Sequence, residues 1–64
     1  MWVGIIKAKD LTAAKNWKDL FENEGIPVLL RAADGGAPNR ESVAYAVMVP
    51  GDRDHVAQEV MRKI

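Results

Sequence analysis

A polar segment between two apolar stretches contains the residues best suited to chemistry. It is RAADGGAPNR, residues 31–40. Arg31 and Arg40 stand at its two ends, so a closed hairpin would bring two guanidinium groups toward one anion. The central glycines match neither phosphate-binding glycine pattern, because those patterns lead into a helix and this segment leads into a strand. Two interpretations stay open: a solvated connection, or a loop that binds a ligand or partner through Arg31, Asp34, Gly35, Gly36 and Arg40.

The other candidate residues have structural explanations. His55 is the only histidine, has no second ligand at metal-binding spacing, and falls on the polar side of a predicted helix. Asp52 and Asp54 resemble a carboxylate pair, but a helix cap and a first-turn acid explain them. Ser42 has no nearby base. We therefore predict no catalytic residues, no metal site and no cofactor, and expect that the protein is not an enzyme.

Composition limits the class of protein further. The chain has 64 residues, no cysteine, and nine basic and nine acidic side chains, which predicts one domain over residues 1–64 without disulfides or thiol chemistry. Charges of both signs are interleaved, so neither nucleic acid nor a membrane surface is an expected partner. The apolar start, MWVGIIKA, is too short for a signal peptide. A cytoplasmic location is expected.

The first half of the chain predicts a strand, a helix and a second strand. Residues 2–8 are rich in β-branched side chains, as strands are. Asp10 can cap a helix from Leu11 to Glu24, and Gly25 can end it in the left-handed conformation. The second strand covers residues 28–32. The helix has one apolar sector with Trp17 at its centre; its members are Ala13, Ala14, Trp17, Leu20 and Phe21.

The second half predicts a strand over residues 42–49 and a helix from residue 52 to the chain end. Pro50 and Gly51 break the strand, and Asp52 is the expected N-cap. Glu59 and Lys63 have the favourable order for an ion pair within the helix. The helix carries one apolar stripe, formed by Val56, Ala57, Val60, Met61 and Ile64.

The element order β-α-β-β-α favours one topology. A strand–helix–strand unit takes a right-handed crossover with parallel strands. The third strand is apolar on both faces, which places it between the first two. We therefore predict an α+β two-layer sandwich with a three-stranded sheet of order 1-3-2 and both helices on one face. This is a ferredoxin-like (split βαβ) arrangement that lacks the last strand.

Strand alternation divides the apolar side chains into two sets. The set assigned to the helices is Val3, Ile5, Val28, Leu30, Tyr45, Val47 and Val49. The other set, which no helix covers, includes Trp2, Ile6, Leu29, Ala44, Ala46 and Met48. A small protein tolerates some exposed apolar surface, but a patch of this size favours association. So short a chain also has little surplus stability. We expect a homodimer with an interface at Trp2, Ile6, Leu29 and Met48.

Two stretches of the chain resemble a known family. They are AKDLTAAKNWKDLFENEGIPVLLR, residues 8–31, and VMVPGDRDHVAQEVM, residues 47–61. The pattern of an Asp-Leu step into a helix, a Glu-Gly-Ile-Pro strand start and a Val-x-Val-Pro strand end is similar to that of very short bacterial signal-transducing proteins related to the PII regulators. Trp17 departs from the family, which has an aliphatic residue there. The resemblance implies no catalytic residues.

These observations favour a regulatory or signal-transducing interaction module that acts as a homodimer and contacts an unidentified protein partner. The alternative is a domain that binds a small anionic ligand through the 31–40 loop.

Overall fold

The computed structural model describes residues 1–36 and 43–63. The strands and helices, with one 3₁₀ turn before the second helix, follow the predicted order, and the α+β class is confirmed. They are β1 (Trp2–Ala8), α1 (Leu11–Asn23), β2 (Leu29–Ala32), β3 (Tyr45–Pro50), the 3₁₀ turn (Gly51–Arg53) and α2 (Asp54–Arg62). Pro50 ends β3 as a member of the strand. The strand begins at Tyr45, so the predicted start at residue 42 is too early: residues 43 and 44 precede the strand, and residue 42 itself lies outside the described residues.

The three strands form one sheet of order β1-β3-β2, as predicted. Both outer strands are antiparallel to β3, so they are parallel to each other. Buried residues of both helices form one cluster with the side chains of β3 that point toward them. The two helices therefore cover one face of the sheet and leave the other face without a helix.

A bulge in β1 changes the predicted alternation. The register shifts between Gly4 and Ile6, so Val3 lies opposite Val49 and Ile6 lies opposite Val47. An extra residue in one strand reverses the faces that follow it. Ile6 consequently packs against the helix-side core, and its predicted place on the uncovered face is wrong.

The caps predicted for α1 are confirmed. The Asp10 carboxylate accepts a hydrogen bond from the Ala13 N–H at 2.8 Å, and Gly25 takes a positive φ of 82°. The Gly25 N–H donates to the Glu22 carbonyl, and the Ile26 N–H donates to the Phe21 carbonyl. This is a Schellman motif, which brings Ile26 back over the last turn. Ile26 is buried there, although its place in the core was not predicted.

The buried side of α1 is centred on Ala14 and Phe21 and not on Trp17, the predicted centre. Ala14 and Phe21 are fully buried, as is most of Leu11. Trp17 is only partly buried and stacks on Phe21, with ring centroids 5.8 Å apart. Trp17 therefore lies at the margin of the core.

The start of α2 differs from the prediction. Its N-cap position is Arg53, and no side chain caps the helix; Asp52 lies in the preceding turn. Asp54 is the first-turn acid, as expected. Glu59 pairs with Arg62 at 2.9 Å instead of Lys63. The Arg53 guanidinium donates to the Gly25 carbonyl at 3.1 Å, and this bond places a cation at the negative end of α1.

Candidate functional site: the open face and edges of the sheet

The sheet face that neither described helix covers carries exposed apolar side chains, which need a functional explanation. Cross-strand partners share a face, so the register assigns side chains to this open face. One row across the sheet is Gly4–Met48–Leu29, and the next is Lys7–Ala46–Arg31. Trp2 lies opposite Pro50 beyond the first row. Of the four residues predicted for a dimer interface, the register places Trp2, Leu29 and Met48 on this face.

Large apolar side chains on the open face are accessible to solvent. Trp2 and Leu29 each retain 43% of their exposure. Met48 lies between Gly4 and Leu29 and is half-buried. Because Gly4 has no side chain, the Met48 thioether has open space toward β1. These residues give the open face an apolar half.

The other half of the open face is cationic. Lys7 and Arg31 are the only charged residues in the three strands, and both lie opposite Ala46. The three strands contain no aspartate or glutamate. That Lys7 and Arg31 lie on the same face was not predicted, because the bulge in β1 brings Lys7 to this side of the sheet.

The start of the 31–40 loop forms a turn at the end of β2. The Asp34 carboxylate accepts a hydrogen bond from the Gly36 N–H at 2.9 Å, and the Gly35 N–H donates to the Ala32 carbonyl at 3.0 Å. Gly35 has a φ of 75°, which favours glycine. Both glycine N–H groups are therefore used within the turn. Arg40 lies outside the described residues, so its convergence with Arg31 stays a prediction.

The remaining candidates do not come together. His55 is exposed on α2, and the Asp54 carboxylate accepts from the Gln58 amide at 3.1 Å. Within residues 1–36 and 43–63, no polar or charged side chain is buried, and no three acidic or histidine side chains gather as metal ligands.

Two grooves run along the edges of the sheet. One lies between β1 and α2, where Gly4 and Ile5 face Asp54 and Met61. The other, with a volume of about 440 Å³, lies between α1 and β2 and is the more apolar. Its residues are Leu11, Lys15, Lys18, Asp19, Val28, Leu29, Leu30 and Tyr45.

Comparison with known proteins identifies no relative. No family model matches the chain, and no curated protein or solved structure is significantly similar to it. The resemblance to the signal-transducing family therefore stays a prediction. In the described part of the chain, neither helix is long and apolar enough to cross a membrane.

Proposed function

We propose that this protein is a non-enzymatic regulatory or signal-transducing interaction module that forms a homodimer through the open face of its sheet. The observation that supports the dimer is the exposure of Trp2 and Leu29 beside Met48 on a face with no helix. The regulatory role rests on the resemblance to the bacterial signal-transducing proteins, whereas the kinship with ferredoxin-like domains rests on the element order and the strand order 1-3-2.

The size of the open face predicts a weak dimer. A sheet of three strands, the longest with seven residues, covers roughly 23 by 14 Å. That footprint is well below the ~800 Å² per partner of a standard interface. We therefore expect a micromolar dissociation constant.

The cationic row limits how two copies can face each other. A two-fold axis parallel to the strands would place Lys7 and Arg31 against the same row of the partner. A two-fold axis perpendicular to the strands would instead place the cationic row of each copy against the end of the other sheet that carries Trp2. There a cation and the indole ring attract each other. The second arrangement is the one we propose.

Sedimentation equilibrium tests the dimer. We expect the parent protein to dimerise by ~100 μM, because this concentration exceeds a micromolar dissociation constant. A Trp2→Lys, Leu29→Lys variant should remain monomeric, since it adds charge to the apolar half. The matched control is Thr12→Lys, Asn16→Lys, which adds equal charge at exposed positions of α1 and should dimerise like the parent. A parent that is monomeric at ~100 μM contradicts the proposal.

The alternative, an anion-binding loop, has less support. The glycine N–H groups that would hold an anion already bond within the turn, Gly36 to Asp34 and Gly35 to Ala32.

A further inference from the structure

The outer edge of β2 has backbone groups available to another strand. The Ala33 N–H donates to the Ala44 carbonyl at 2.9 Å, so these two residues form a hydrogen-bonded pair. Such pairs alternate along an antiparallel ladder. Leu29 and Arg31 therefore bond to β3, while the N–H and carbonyl of Leu30 point outward. At Ala32 the next outward carbonyl already accepts from Gly35, so the free edge ends there.

The groove between α1 and β2 lies directly beside this edge. Its apolar lining includes Leu11, Val28 and Leu30 together with the buried Tyr45. A strand added to β2 would point alternate side chains into this groove and the others onto the open face. Aliphatic side chains suit the groove.

Cations flank the β2 edge on both sides. Lys15 and Lys18 line the groove on the helix side, and Arg31 lies on the open face. Asp19 also lines the groove, and Glu22 accepts from the Lys18 ammonium at 3.2 Å. On the helix side these charges balance, whereas on the open face Arg31 has no acidic neighbour within the three strands, so the open-face side of the edge attracts negative charge.

We propose that the β2 edge binds an extended acidic segment of a partner protein as a fourth strand. Main-chain hydrogen bonds to Leu30 supply the pairing, aliphatic side chains fill the groove, and carboxylates lie beside Arg31. The pairing uses the outer backbone edge of β2, which the homodimer does not need, so this inference does not depend on the homodimer although Arg31 belongs to both surfaces.

A hexapeptide of alternating glutamate and valine, acetylated and amidated, is the probe. Its titration into the isotopically labelled protein, followed by nuclear magnetic resonance, should shift the Leu30 amide and slow its hydrogen exchange. A lysine–valine peptide and a block peptide of three valines followed by three glutamates should bind much more weakly. The first reverses the charge, and the second keeps the composition but loses the alternation.

Two variants separate the β2 edge from general electrostatics. Arg31→Glu should weaken binding of the glutamate–valine peptide by about tenfold or more, since it reverses a charge beside the peptide. The control, Lys7→Glu, makes the same charge reversal on β1, at the position on the other side of Ala46 from Arg31. Two strand spacings, about 10 Å, separate the two positions, and salt screens charges over that distance. This control should change the dissociation constant less than about twofold.

Several results would overturn the inference. They are equal binding of the lysine–valine peptide, equal effects of the two variants, and shifts confined to β1 amides. Protection of the Leu30 amide in the free protein that disappears on dilution and persists in Trp2→Lys would show that a second copy occupies the edge and would also overturn it. The titration is repeated on Trp2→Lys, so a failure of the dimer and a failure of peptide binding are distinguishable.

Discussion

Phe21 and Trp17 lie one turn apart on α1, and their different burial predicts different energetic roles. Phe21 is fully buried, so Phe21→Ala removes an aromatic ring from the core and should cost about 3–5 kcal/mol of unfolding free energy. Trp17 is partly exposed and loses chiefly its stacking on Phe21, so Trp17→Ala should cost about 1–2 kcal/mol.

Urea denaturation of both variants, at a concentration where the protein is monomeric, measures this difference. The slopes of the transitions should match that of the parent, so that the midpoints report stability. If Trp17→Ala were less stable than Phe21→Ala, Trp17 would lie at the centre of the buried face of α1, and this prediction would be wrong.

The bulge in β1 has a clear consequence for substitution. Ile6 packs on the helix side of the sheet, whereas its neighbour Lys7 is exposed. Ile6→Lys should therefore destabilise the fold by about 2–4 kcal/mol, because it brings a charge into apolar packing. Lys7→Ala should stay within about 0.5 kcal/mol of the parent. Thermal unfolding of the two variants checks the bulge, and equal stabilities would contradict it.

Elements whose signals are local could be predicted from the sequence. The first strand and α1 agree with their predicted bounds to within a residue, because Asp10 and Gly25 act through bonds to their own helix. The bulge has no comparable signal, since an extra residue is visible only against the register of a partner strand. The burial of Ile26 does have a local signal, because an apolar residue directly after a C-terminal glycine packs back on the last turn of the helix.

Among the candidate site residues, the same distinction holds. Apolar alternation correctly placed Trp2, Leu29 and Met48 on the open face, since each strand segment there is regular. It could not place Ile6 or Lys7, which follow the bulge. The prediction of Asp52 as N-cap is wrong because this residue lies inside the 3₁₀ turn that precedes α2.

At the scale of the whole molecule, two layers enclose a core despite the short chain. The radius of gyration is 11.0 Å, close to the roughly 10.7 Å expected of a compact chain of this length. The buried cluster includes every element except the 3₁₀ turn. One layer of helices is therefore enough to build the core, and neither of the described helices covers the opposite side of the sheet.

The segregation of charge gives this electrically neutral molecule a dipole moment. In the described residues, eight cationic and eight acidic side chains balance, yet both charged strand residues are cations and every carboxylate lies on a helix, a turn or a connection. The strands therefore carry two positive charges and no negative one, and the helices, turns and connections together carry an equal negative excess. At pH 7, where the formal net charge is zero, a sulfonate resin at low salt should retain the protein by its sheet side. Lys7→Gln, Arg31→Gln should elute earlier than Lys9→Gln, Lys15→Gln, although both variants lose two positive charges, and equal elution would show that orientation plays no part.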